Sequence, residues 1–161
     1  MGNWGVFDDE SDSTSDEFNN IQDKFLPQKI LKLIDEDYDM FVDESTKYLK
    51  QNKDKLYEAI YKKINKLYKK PNRNIHELSM VVGIPMKAIK LMYGSIKKDC
   101  KNLPNKFPKD IQKLVLKAIS KLIKTIDENE QGWRNLPSRK RALNAELYLF
   151  SKAQYGKVWK Q

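Results

Sequence analysis

Apolar residues recur at helical spacing along nearly the whole chain. From Lys109 to Ile126, the residues Ile111, Leu114, Val115, Ala118, Ile119, Leu122 and Ile126 fall on one face, with Lys113, Lys117, Lys121 and Lys124 opposite. Over Lys53 to Lys70, Leu56, Ile60, Ile64 and Leu67 form a second stripe. Tyr57, Tyr61 and Tyr68 flank it, Lys62, Lys63, Lys66, Lys69 and Lys70 lie outside, and Pro71-Asn72 ends it. Pro27 suits a first helical turn, and Ile30, Leu31 and Ile34 predict a short helix reaching Ile34. Met40 to Leu49 predicts another. Beyond a loop from Asp127 to Pro137, with Gly132 as its turn, Ser138 to Ala153 predicts a final helix burying Leu143, Leu147 and Phe150. No alternating run is long enough for a strand, and no repeat is present. The pattern predicts an all-α protein, a single compact helical bundle of about five to seven helices.

With 161 residues, 40% of them hydrophobic, the chain can bury one core and needs no second domain. The expected organisation is an acidic leader over residues 1–26 anchored by Trp4 and Phe7, a helical domain over 27–153, and a basic tail over 154–161. Cys100 is the single cysteine, which excludes an intramolecular disulfide and fits a reducing compartment, so a cytoplasmic location is expected. No apolar run approaches the roughly 20 residues of a membrane span, and the start lacks the basic and apolar regions of a secretory signal. Gly2 is no myristoylation site by pattern, because Val6 stands where Ser or Thr is required.

Charge changes this picture more than composition does. Residues 1–23 carry seven acids (Asp8, Asp9, Glu10, Asp12, Asp16, Glu17, Asp23) and no Lys or Arg, so a chain of net charge +9 has +16 on its remainder. Such a surplus attracts polyanions or an acidic protein at long range. The preferred reading of the leader is a solvated, partly mobile segment. The alternative is an electrostatic plug folded back on the basic body, whose charge phosphorylation of Ser11, Ser13, Thr14 or Ser15 would raise. Trp4, flanked by Gly2 and Gly5, is expected to pack on the helices, since burying an indole stabilises and exposing one invites aggregation. Trp133 reads as a core or lid residue, and Trp159, with Tyr155 and Lys157, lies in a frayed end.

The opening Met1-Gly2-x-Trp4-Gly5 with Phe7, Asp9, Asp12 and Asp16 behind it resembles a domain family of unknown function found in bacteria and large DNA viruses. Leu103 to Pro108, the helix after it, and Gly132 to Leu143 with Trp133 and Arg139 are similar to that family's closing pattern of helix, loop tryptophan, basic pair and final helix. The richness in Lys, Asn and Ile is closer to a viral member. The resemblance implies no chemistry.

Ile75 to Tyr93 has the layout of a helix-turn-helix, giving a hairpin over residues 75–100. Leu78 and Val82 are apolar, Ser79 is small where the helices would touch, Gly83 would make the corner, and Ile84, Ile89 and Met92 would face the core. Met86, Lys87 and Lys90 would then present to a groove, with Lys97, Lys98 and Lys101 for phosphates. The same stretch resembles the end of a cyclin-type repeat in the general transcription factor that binds promoter-bound TATA protein. Against DNA reading, the recognition positions lack Arg, Asn and Gln, and any helical hairpin with a glycine corner looks alike.

Enzyme chemistry finds little support. His76 is the single histidine and has no sequence partner suggesting a triad with Cys100. Asp8, Glu10 and Asp12 mimic the first ligands of a calcium loop, but Ser13 replaces its glycine and Asn19 its closing Glu. No phosphate loop, zinc spacing or nucleophile elbow occurs, so neither cofactor nor metal is expected. The sequence therefore leads to a non-catalytic interaction protein with an unidentified protein partner, an accessory or virion-associated protein of a large DNA virus if the resemblance holds. The alternative is a nucleic-acid-binding protein built on residues 75–101.

Overall fold

A computed structural model describes residue 8 and residues 11–71, 74–93, 107–128 and 136–155. The helices are α1 (Asp12–Phe25), two single turns α2 (Gln28–Leu31) and α3 (Leu33–Glu36), α4 (Tyr38–Gln51), α5 (Lys53–Tyr68), α6 (Ile75–Tyr93), α7 (Lys109–Glu128) and α8 (Leu136–Tyr155). There is no strand among the described residues, and the all-α expectation holds.

Local chemistry sets the helix starts. The Ser11 hydroxyl accepts from the Thr14 amide at 3.1 Å to open α1, and Asp37 does the same for Met40 at 3.2 Å to open α4. Before α6, the Asn74 side chain accepts from the Glu77 amide at 3.0 Å while Glu77 accepts from the Asn74 amide at 3.1 Å, a reciprocal capping box. Lys70 at the end of α5 reaches the same carboxylate at 2.9 Å, tying two consecutive helices across their connection.

The central element is α6, against which α1, α4, α5 and α7 all pack, while α8 packs on α7. Every residue from Val81 to Met86 is buried, so this helix has no solvent face in its middle. That burial overturns the helix-turn-helix expectation: α6 runs unbroken through Gly83 and Pro85. A glycine costs a helix about 1 kcal/mol and a proline about 3. Burying Val81, Val82, Ile84, Met86, Ile89 and Met92 returns on the order of 1.5–3 kcal/mol each, which exceeds both penalties together. Met86, expected to face a groove, is instead in the core.

The amphipathic readings of α5 and α7 hold. Leu56, Ile60 and Ile64 are fully buried, as are Ile111, Val115, Ala118, Ile119 and Leu122, whereas Lys113, Lys117, Lys121 and Lys124 are exposed. Phe107 packs edge-on against Tyr57 of α5, with ring centroids 5.3 Å apart, and against Phe150 of α8 at 6.1 Å. Gln112 of α7 donates from its buried side chain to the Phe150 carbonyl.

A solvated leader is not what forms from Asp12 onward. The segment is helix α1, which packs on α6 and α5, buries Phe18 and Thr14, and pairs Glu17 with Lys63 at 2.7 Å. Residues 1–7, Asp9 and Glu10 lie outside the described residues, as do Trp133, Trp159 and Cys100.

Gly83 has a use other than a corner. A Cβ there would meet the backbone carbonyl group of Asp8 and come within 2.7 Å of the Thr14 hydroxyl. The backbone before α1 thus lies directly on α6. In an exposed helix Gly→Ala stabilises by about 1 kcal/mol, but here the clash is with backbone, and overpacking costs about 1–3 kcal/mol. Gly83→Ala is expected to lower stability in urea unfolding, against its helix propensity.

Candidate functional site: a buried charge cluster

Three ionisable side chains meet in the interior. Asp8 precedes α1, and Arg139 and Glu146 lie two turns apart on one face of α8; each is about 1% exposed. The Arg139 Nη2 donates to Asp8 Oδ1 at 2.6 Å, and its Nη1 lies 3.6 Å from Glu146 Oε1. The Ser79 hydroxyl of α6 also donates to Asp8 Oδ1, and the Thr14 hydroxyl donates to the Asp8 carbonyl at 2.9 Å. Ser11 completes the chain by donating to Thr14 Oγ1 at 2.8 Å.

One guanidinium faces two carboxyl groups, so full ionisation would leave a buried negative charge. The imbalance falls on Glu146. Burial pushes its carboxyl well above the ordinary carboxylate value, and the charge and hydrogen bond of Asp8 push the same way, against a weaker pull from Arg139. A proton on Glu146 neutralises the cluster and supplies a donor where Asp8 Oδ2 and both Glu146 oxygens otherwise have none. On Arg139, burial disfavours the charge, but Asp8 and Glu146 outweigh it and hold the guanidinium above its usual value.

Of the residues singled out in the sequence, the structure brings Arg139 to this cluster. Asp12 is half-buried and Asp16 exposed on α1, neither joining it. Lys87 and Lys90 are half-buried on α6 and already engaged. Met1, Gly2, Trp4, Gly5, Phe7, Asp9, Trp133, Lys97, Lys98 and Lys101 lie outside the described residues. In the sequence Asp8 is one leader acid among seven and a mimic of a calcium-loop ligand, and no motif singles out Glu146. A signal for Glu146 existed: Arg139, Leu143, Glu146 and Phe150 fall on one helical stripe, so two charges occupy positions that the apolar pattern assigns to the core.

His76 is exposed, and among the described residues no group of three or more His, Cys, Asp or Glu is placed to hold a metal ion. No described helix is long and apolar enough to cross a membrane. No family model, curated protein or solved structure matches the chain.

Removing one member of a buried ion pair strands the other, at about 3–5 kcal/mol. Arg139→Met is expected to destabilise by that amount in urea unfolding. Glu146→Gln should behave oppositely at neutral pH. Because the folded-state pKa of Glu146 is raised, its contribution is complete below the unfolded value of about 4.3 and declines as pH rises through the elevated one. Wild type should therefore lose stability relative to Glu146→Gln as pH rises above about 4.3, a gap that thermal melts at several pH values would measure.

Proposed function

We propose that the protein is a non-catalytic interaction module, of the accessory or virion-associated kind that the family resemblance implies. The observation carrying this is the separation of its charges. Asp8, Arg139 and Glu146 are sealed inside and pair with one another, so they serve the fold, while the surface is divided by sign. Lysines occupy the outer row of α7, and acids crowd α3 and the first turns of α4. A surface so divided orients partners electrostatically and sets their register.

A second reading is nucleic-acid binding, moved from the absent hairpin to another surface. The supporting observation is that α5 and α7 pack together and Lys121 Nζ sits 5.4 Å from the centre of the Tyr68 ring, bringing the two lysine rows to one boundary. Binding there would be to phosphates and would weaken steeply with salt.

Affinity capture by the intact chain from its native lysate, with nuclease treatment in parallel, tests both. Proteins retained equally in the two arms are the expected result. Recovery abolished by nuclease, together with nucleic-acid binding lost on converting Lys113, Lys117, Lys121 and Lys124 to Glu, would favour the second reading.

A further inference from the structure

We propose that α3 and the start of α4 form the docking surface for a basic, amphipathic helix of a partner protein; this rests on the interaction-module reading and names the partner's chemistry. Ile34, Tyr38, Met40 and Val42 are 40%, 62%, 49% and 39% exposed, the large apolar side chains that this fold leaves in water among the described residues. On this corner Tyr38 and Val42 stand one turn apart on one face of α4, with Met40 on another, and neighbouring exposed apolar groups call for an explanation that scattered ones do not. The same corner holds Asp35, Glu36, Asp37, Asp39, Asp43 and Glu44, all exposed, with no Lys or Arg from Leu33 to Thr46. Among the described residues none of these six acids forms an ion pair with Lys or Arg.

Helix physics explains part of this concentration and leaves the rest. Asp37 caps α4, and Asp39 in its first turn meets the positive end of the helix dipole. Asp43 and Glu44 lie beyond that turn. On α4, Tyr38 and Val42 share a stripe with buried Ser45 and Leu49, at i, i+4, i+7 and i+11, and stand at the uncovered end of the face by which the helix is held. Tyr38 is held beside Phe41 with ring centroids 5.8 Å apart, so the platform is braced from below.

Charge complementarity selects the occupant. Six acids repel nucleic acid and any acidic peptide. A second copy brings a net charge of +9 onto a chain of the same charge, a general repulsion that a local contact would have to overcome. A helix with an apolar stripe bordered by Lys or Arg satisfies both halves of the surface. Its stripe covers Tyr38 and Val42, its cations meet Asp39 and Asp43 beside them, and a cation can also sit over the exposed face of Tyr38.

Fluorescence anisotropy of the full chain with a labelled synthetic Leu/Lys amphipathic helix tests this, with the matching Leu/Glu helix as control. Saturable one-to-one binding of the basic helix is expected, weakening as sodium chloride rises. Tyr38→Ser with Val42→Ser should reduce affinity by about tenfold or more, and Asp39→Asn, Asp43→Asn and Glu44→Gln together should reduce it most at low salt. These residues are exposed, so unchanged thermal melts would show that folding is intact. No saturable binding, equal binding of the acidic helix, or indifference to both sets of variants would overturn the proposal. So would self-association of the chain that the corner variants abolish, because the occupant would then be a second copy. Capture of the same lysate proteins by wild type and corner variants would overturn this surface while leaving the interaction reading standing.

Discussion

The enclosure of α6 is the constraint on which the other elements depend. A helix apolar around its whole circumference from Val81 to Met86 must be covered on every side, and α1, α4, α5 and α7 supply that cover. Gly83 and Pro85 are tolerated inside it because burial outweighs their intrinsic cost. Gly83 in addition removes the one side chain that would hold the backbone before α1 away. The close approach of Asp8 to α6 thus follows from a missing Cβ, and without that approach the carboxylate would not reach Arg139.

Two carboxyl groups then shape the pH response from opposite sides. Glu77, bonded first by Lys70 and then by the Asn74 amide, is held below the ordinary carboxylate range, so its contribution is present above the unfolded value and lost as pH falls through the depressed one. Glu146 is held above that range, and its contribution is lost as pH rises. The first is a covered carboxylate whose partner Lys70 is exposed, at a helix start near the surface, and the second lies wholly in the interior. Burial thus amplifies the response of the interior group, which lies beside the contact between Asp8 and α8.

Periodicity made α5, α7 and the last helix legible, because one face of each is apolar and the other is lysine-rich or polar. It failed at α6 for a physical reason: a helix buried all round its middle has no polar face there to give a period, and Gly83 then reads as a corner. From Asp12 onward the solvated reading fails because net charge hides that Thr14 and Phe18 face inward while Glu17 meets Lys63. Asp8 could not be told from its acidic neighbours, since its role comes from Arg139, 131 residues away. Glu146 was readable in the apolar register of α8, where a charge stands in a core position.

The same contrast separates the two acidic regions of the surface. In α1 two acids have uses within the fold, Asp12 in the first turn and Glu17 on Lys63, so the basic body partly neutralises this segment. Among the described residues the acids of α3 and the start of α4 form no ion pair with lysine, although bringing opposite charges together would stabilise the isolated molecule. Exposed Tyr38, Met40 and Val42 add a second local cost at that place. These two terms differ in origin, and the proposed contact with a basic amphipathic helix would relieve both.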